Sequence, residues 1–229
     1  VLFSAAGTIG ATLTMYALHK IPRKALSLAG ISMAGAFASD FIVSLLFGEH
    51  NAFDLIARID FPLSNFWLLI GLGIIVAIVG HVFKKSIYTS QVFYKKLHIP
   101  PVLQPVIPFL LVIPFYMIFG YVNGGGDVLI DAVKEHNFSL YMLILLLVVK
   151  LLFTGLSAGS GAIGGIFVPL FACGALCGLI YAKSLTFLGL LDVALAENMM
   201  IFGMVACFAT VIKAPLTACA ITVSYTHLT

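Results

Sequence analysis

Between residues 140 and 156 the only charged side chain is Lys150. A stretch like this approaches the about 20 apolar residues that carry a helix across the hydrocarbon core of a bilayer. It does not stand alone: residues 1–18, 25–47, 63–83 and 102–122 repeat the pattern, separated by short polar links. Composition removes the alternative of a water-soluble domain. In this chain 62% of the residues are apolar and 9% are charged, whereas soluble domains carry about 25% charged residues. A soluble domain of this size still exposes about a quarter to a third of the area its unfolded chain exposes. Too few polar side chains are present to cover such a surface. The segments therefore predict an all-α, polytopic protein of the lipid bilayer.

The net charge of +3 does not point to nucleic acid, because Lys and Arg sit in short clusters between apolar runs. Those clusters orient the chain, since cytoplasmic loops are enriched in basic residues. One cluster holds Lys20, Arg23 and Lys24, and another Lys84, Lys85, Lys95 and Lys96. Both are expected on the cytoplasmic side, two crossings apart. The loops at 48–62 and 123–138 carry one basic residue each, Arg58 and Lys134. Pro100 and Pro101 read as a helix start, and Pro105, Pro108 and Pro114 as kinks whose freed carbonyls neighbours satisfy. Trp67 reads as an interfacial anchor. Cys173, Cys177, Cys207 and Cys219 lie in apolar stretches and read as free thiols, packing as small hydrophobes. Neither they nor the six histidines suggest a metal site.

Residues 166–181 are apolar but short for a full crossing, and 199–212 and 214–224 are shorter still. Short apolar segments interrupted by Gly and Pro point to broken or re-entrant helices, tolerated at membrane depth only inside protein or along a cavity. The stretch Ser157-Ala-Gly-Ser-Gly-Ala-Ile-Gly-Gly-Ile-Phe-Val-Pro169 leads into the first of them. Gly159, Gly161, Gly164 and Gly165 let the backbone turn sharply and approach a ligand closely. Pro169 suits the first turn of a helix, so a helix is expected to start near Ile166. The first N–H groups of a helix lack partners and carry the positive end of its dipole, an arrangement suited to an anion. The dipole alone contributes about 0.3–1 kcal/mol, and ~2 when partly buried. Stripping an anion of water costs more, so several such elements must converge. A Gly-rich contact between helices accounts for the same residues without a ligand, and Gly174 and Gly178 are spaced for close packing.

Gly165-Ile-Phe-Val-Pro169, preceded by Gly159-Ser-Gly161, resembles a signature of the CLC chloride channel and transporter family. Lys213-Ala-Pro-Leu-Thr217 is similar to a helix start that follows in that family. Lys150 and Thr154 precede the loop in the family's layout, and Leu18-His-Lys20 is similar to its mid-protein helices. The resemblance covers residues 19–224. It implies part of the CLC inverted-repeat fold, with broken helices: about the C-terminal half of a transport domain across residues 1–229, residues 1–17 and 225–229 lying outside the clear match. It further implies chloride transport, as a voltage-gated channel or a proton antiporter, by a homodimer of the plasma membrane with one pore per subunit. The dimer contact would include 25–47 and 214–224. By the same resemblance, backbone amides of Ile166 and Phe167 face a dehydrated chloride. Gly165, Val168, Pro169 and Ser160 complete the chloride-binding stretch, and Gly164, Lys150, Lys213 and Pro215 support the pore helix. No cofactor other than bound chloride is expected, and no catalytic residue.

The sequence also departs from the family. The upstream Gly-Ser-Gly-x-Pro serine and the gating glutamate of Gly-(Lys/Arg)-Glu-Gly-Pro do not occur, nor does a later pore tyrosine. Tyr16-Ala17 stands where proton-coupled members carry an inner glutamate. A charge near mid-bilayer costs about 2.5–3.5 kcal/mol, so Lys150 either pairs within the protein or draws anions toward the pore. Lys213, beside a helix start, reads as an interfacial anchor. Asp40 reads as a satisfied polar group, and Asp127 as the cap of a helix after the turn at 123–127. Two other readings stay open. One is a broken-helix secondary transporter of another substrate. The other is an intramembrane serine protease using Ala158-Gly-Ser-Gly161, which needs a base within reach and finds downstream only His227.

Overall fold

The computed structural model describes residues 61–97, 99–118, 120–121, 126–135, 138–162, 164–215, 217–219 and 221–222. The expectations placed on segments 1–18 and 25–47, on Tyr16-Ala17, Leu18-His-Lys20 and Asp40, and on 225–229 lie outside these residues. Among these described residues six helices follow one another: α1 Leu68–Lys96, α2 Val106–Ile118, α3 Asp127–Glu135, α4 Leu140–Gly159, α5 Phe167–Phe187 and α6 Ala196–Ile212. Single 3-10 turns precede α1 and α6, at Leu63–Asn65 and Val193–Leu195. No strand occurs among the described residues. Helices α1, α4, α5 and the segment Val193–Ile212 are long and apolar enough to cross a membrane. The chain is all-α and polytopic, part of an integral membrane protein.

Several boundaries differ from the sequence reading, among them the segment expected at 199–212, which is helical from Ala196 and with the turn before it is long enough to cross a membrane. The segment expected to stop at Phe83 continues as helix to Lys96, so the lysine-bearing stretch 84–96 is not a loop. Its polar residues are used for packing. Ser86 Oγ donates to the Leu151 carbonyl at 3.1 Å, and the Tyr94 hydroxyl donates to the Leu156 carbonyl at 3.1 Å. Ser86, Ser90 and Tyr94 repeat every fourth residue, which keeps them on one face. That face meets Gly155 and Gly159 of α4, where added Cβ atoms would collide with Ser86 and Ser90. At 1.5 Å per residue α1 is about 44 Å long, well beyond the about 30 Å of hydrocarbon it has to cross. Another difference is α5. It runs for 21 residues, long enough for a crossing, where the sequence suggested a short segment. Within 102–122, by contrast, only the 13 residues of α2 are helical. Pro100 and Pro101 belong to the turn before it, where the Leu103 N–H donates to the Pro100 carbonyl at 2.9 Å.

Helix α5 lies at the centre and packs along α6. The expected glycine packing is present here. A Cβ on Gly174 would stand 2.6 Å from the Gly203 carbonyl oxygen, and one on Gly178 would strike the Met199 carbonyl. Around this backbone contact Leu170, Phe171, Cys173 and Cys177 of α5 meet Met199, Met204 and Cys207 of α6, all fully buried. The four cysteines are free thiols, three of them buried and Cys219 exposed. Two side-chain ties fix α5 to its neighbours: the Tyr181 hydroxyl donates to the Leu68 carbonyl at 3.0 Å, and Lys183 Nζ donates to the Phe138 carbonyl. Trp67 sits exposed at the head of α1.

Candidate anion-binding site

The loop between α4 and α5 builds the site. Helix α4 ends at Gly159, capped by Ser160, whose N–H points at the Leu156 and Ser157 carbonyls. The Ser160 side chain is buried. Its hydroxyl donates to the Ser157 carbonyl at 2.7 Å and accepts the Ala162 N–H at 3.4 Å. Ser160 therefore fastens the turn, with its hydroxyl proton placed on a backbone carbonyl. Gly161 follows at φ +77°, a left-handed conformation that favours glycine. The other loop glycines serve differently. Gly159 makes room for Ser90, while Gly164 and Gly165 have nothing within 4 Å of where a Cβ would stand. At these two positions no described residue crowds the approach to the next helix.

That helix is α5, and its start has the predicted form. Ile166 caps it with φ −93° and ψ −3°, without help from any side chain. The first closed bond runs from the Leu170 N–H to the Ile166 carbonyl at 3.2 Å. Pro169, third in the helix, has no N–H to leave unpaired. At the start of this helix the N–H groups of Ile166, Phe167 and Val168 have no acceptor among the described residues. The structure thus places Gly164, Gly165, Ile166, Phe167, Val168 and Pro169 together at one helix N-terminus. Phe167 is 44% exposed. No acidic residue lies in this first turn to compete with an anion.

The Phe167 ring rests on Phe208 of α6, with centroids 5.5 Å apart and planes inclined by 23°. Phe208 stacks in turn on Phe171 at 5.2 Å and 17°. Sequence reasoning missed this pair of contacts. The four-residue spacing of Phe167 and Phe171 was a signal for one shared helix face, but nothing marked Phe208 among the apolar residues of α6.

Of the three remaining support residues, Lys150 lies within α4, and Lys213 and Pro215 follow the last turn of α6. Lys150 is 1% exposed within α4, nine residues and about 14 Å before Gly159. Its ammonium lies against Gly126 at the head of α3, where an added Cβ would be 3.6 Å from Nζ. Asp127 is the first residue of α3, inside the helix rather than at the cap position the sequence reading gave it, and its acid lies in the first turn, where negative charge is favoured. Lys213 ends α6 in a left-handed conformation, φ 61°, and its N–H donates to the Ala209 carbonyl at 2.9 Å. Its side chain is exposed beside a helix C-terminus, where a cation is favoured; the sequence reading had weighed only the helix start that follows. Lys84 Nζ serves the same end, donating to the Thr210 carbonyl at 3.2 Å. Pro215 is exposed and opens the next helical turn, in which the Ala218 N–H reaches the Ala214 carbonyl at 2.9 Å. Among the described residues no cluster of His, Cys, Asp and Glu could hold a metal ion.

Comparison with known proteins identifies the family and the fold. Residues 7–229 match the family described as voltage gated chloride channel. The H(+)/Cl(-) exchange transporter ClcA of Yersinia pestis bv. Antiqua (strain Angola) is 31% identical over 192 residues, covering 80% of this chain and 39% of that protein. ClcA of Salmonella paratyphi B is 29% identical over 187 residues, covering 80% and 40%. This chain therefore spans about two fifths of the length of these curated relatives. Among solved structures, a slow cyanobacterial Cl-/H+ antiporter superposes with a TM-score of 0.75 at 28% identity, covering 87% of this chain and 47% of that one. A CLC-type fluoride/proton antiporter shares the fold, with a TM-score of 0.68 at 24% identity and coverage of 89% and 49%. With the family match spanning nearly all of the sequence, the chain belongs to the voltage gated chloride channel family.

Proposed function

We propose that this chain carries part of a pathway for a small anion, chloride first, across a membrane. The observation that carries the reading is the start of α5: three N–H donors without an acceptor among the described residues, behind Gly164 and Gly165, with no acid in the turn. Fixed backbone donors replace part of the ion's hydration shell, so selectivity rests on their placement rather than on a full positive charge. Relatives that move chloride and a structural neighbour that moves fluoride, each against protons, support a halide as the shared substrate class. Bound chloride is the only non-protein group the reading needs. A homodimer of the plasma membrane, with contacts through 25–47 and 214–224, completes it. The reading assigns no enzymatic step, and the Ser160 hydroxyl, which donates to a carbonyl rather than to a base, supports that choice over a serine protease.

The test is anion efflux from liposomes containing the full-length protein. Phe167→Ala and Pro169→Ala are each expected to alter the rate or the order of preference among chloride, nitrate and fluoride. Unchanged flux and preference in both variants overturns the assignment of this site.

A further inference from the structure

We infer that Phe208 is a positioning residue for the anion site, holding the first turn of α5 through the ring of Phe167. The inference rests on the transport reading above. A first helical turn has few backbone bonds to hold it. Here the Leu170–Ile166 bond is the first to close, and the cap residue contributes no side-chain bond. Packing must therefore decide where the N–H groups of Ile166, Phe167 and Val168 point. Phe167 and Phe171 stand one turn apart on one face of α5. Phe208 stacks on both, with centroid separations of 5.5 and 5.2 Å and interplanar angles of 23° and 17°.

The exposures show which ring holds which. Phe208 and Phe171 are wholly buried, while Phe167 is partly exposed. The backbone under Phe208 is itself fixed. Cys207 presses into the place of the missing Gly174 side chain, where an added Cβ would stand 2.9 Å from the Cys207 Cβ. The Phe208 ring is therefore a buried, flat support on α6 for the exposed ring at the mouth of α5. Aromatic pairs favour such ring geometry beyond the area they bury. Leucine at 208 would keep the apolar bulk and lose the flat face.

The experiment compares Phe208→Leu and Phe208→Tyr in the full-length protein. The readouts are the chloride-to-nitrate flux ratio in liposomes and the melting temperature in detergent. Phe208→Leu is expected to shift the ratio by about two- to tenfold, the range that aromatic pairing corresponds to. Phe208→Tyr keeps the ring and is expected to restore the ratio. Phe167→Leu should shift the ratio the same way, and the double variant should be no worse than the more affected single one. A folded Phe208→Leu protein with an unchanged ratio overturns the inference, as does a melting-temperature loss without any change in ratio. If Phe208→Leu does not fold, Phe208→Met against Phe208→Trp makes the same comparison with the same two outcomes. Absence of anion flux in the unsubstituted protein would instead refute the transport reading, and the inference with it.

Discussion

Among the helix crossings of the described residues, two use glycine in contrasting ways. Where α5 crosses α6, Gly174, Gly178 and Gly203 bring backbone against backbone. Where α1 crosses α4, Gly155 and Gly159 receive Ser86 and Ser90, and hydroxyls reach the carbonyls of Leu151 and Leu156. The first crossing lies in the interior: 72% of the apolar window of α5 is buried, against 28% for α1. In lipid the hydrophobic effect drives little helix association, so close packing and hydrogen bonds carry it. The α5–α6 crossing shows packing in nearly pure form, and the α1–α4 crossing adds polar ties. The helix that carries the proposed anion site, α5, belongs to the closely packed pair.

The comparison can be broken most sharply at its tightest point. Gly178→Leu would drive a side chain into the Met199 main chain, which cannot rotate away. Overpacking at this site should cost about 3 kcal/mol or more, seen as loss of the folded protein in detergent. Gly155→Ala should cost less, about 1–3 kcal/mol, because its nearest neighbour is the Ser86 hydroxyl. Ser86→Gly in the same chain should recover part of that loss, measured by melting temperature. No partner substitution should rescue Gly178→Leu, and equal rescue at both crossings would erase the distinction drawn here. Smaller again is Tyr94→Phe, which removes the bond to the Leu156 carbonyl and should cost about 0.6 kcal/mol, the average for such bonds in a membrane. Smallest is Lys84→Met. Its bond to the Thr210 carbonyl is exposed, so its loss should stay below about 0.5 kcal/mol in thermal unfolding.

What could be read in advance followed from local chemistry. Apolar length marked α4, whose expected start at residue 140 is the observed one. Glycine spacing announced the α5–α6 contact, and Pro169 with the glycines before it announced a helix start near Ile166, where α5 begins one residue later. The misses share a cause: they depend on what lies opposite. Lys84, Lys85, Lys95 and Lys96 look like a loop until α4 is seen to take Ser86, Ser90 and Tyr94 on the other face. Four loop glycines looked equivalent, yet only Gly161 adopts a positive φ, and Gly159 is needed for Ser90. Lys150 could be placed either with a partner or near the pore. The fold sets it against Gly126. Phe208 was invisible because an aromatic in an apolar run carries no mark of its partners.

The central claim is that the open N–H groups of Ile166, Phe167 and Val168 hold an anion. The most direct measurement is bromide anomalous scattering from crystals of the full-length protein. The account predicts a bromide peak within hydrogen-bonding distance, about 3.2–3.5 Å for so large an ion, of these N–H groups. Bromide bound elsewhere along the pathway, with none at the start of α5, would contradict it.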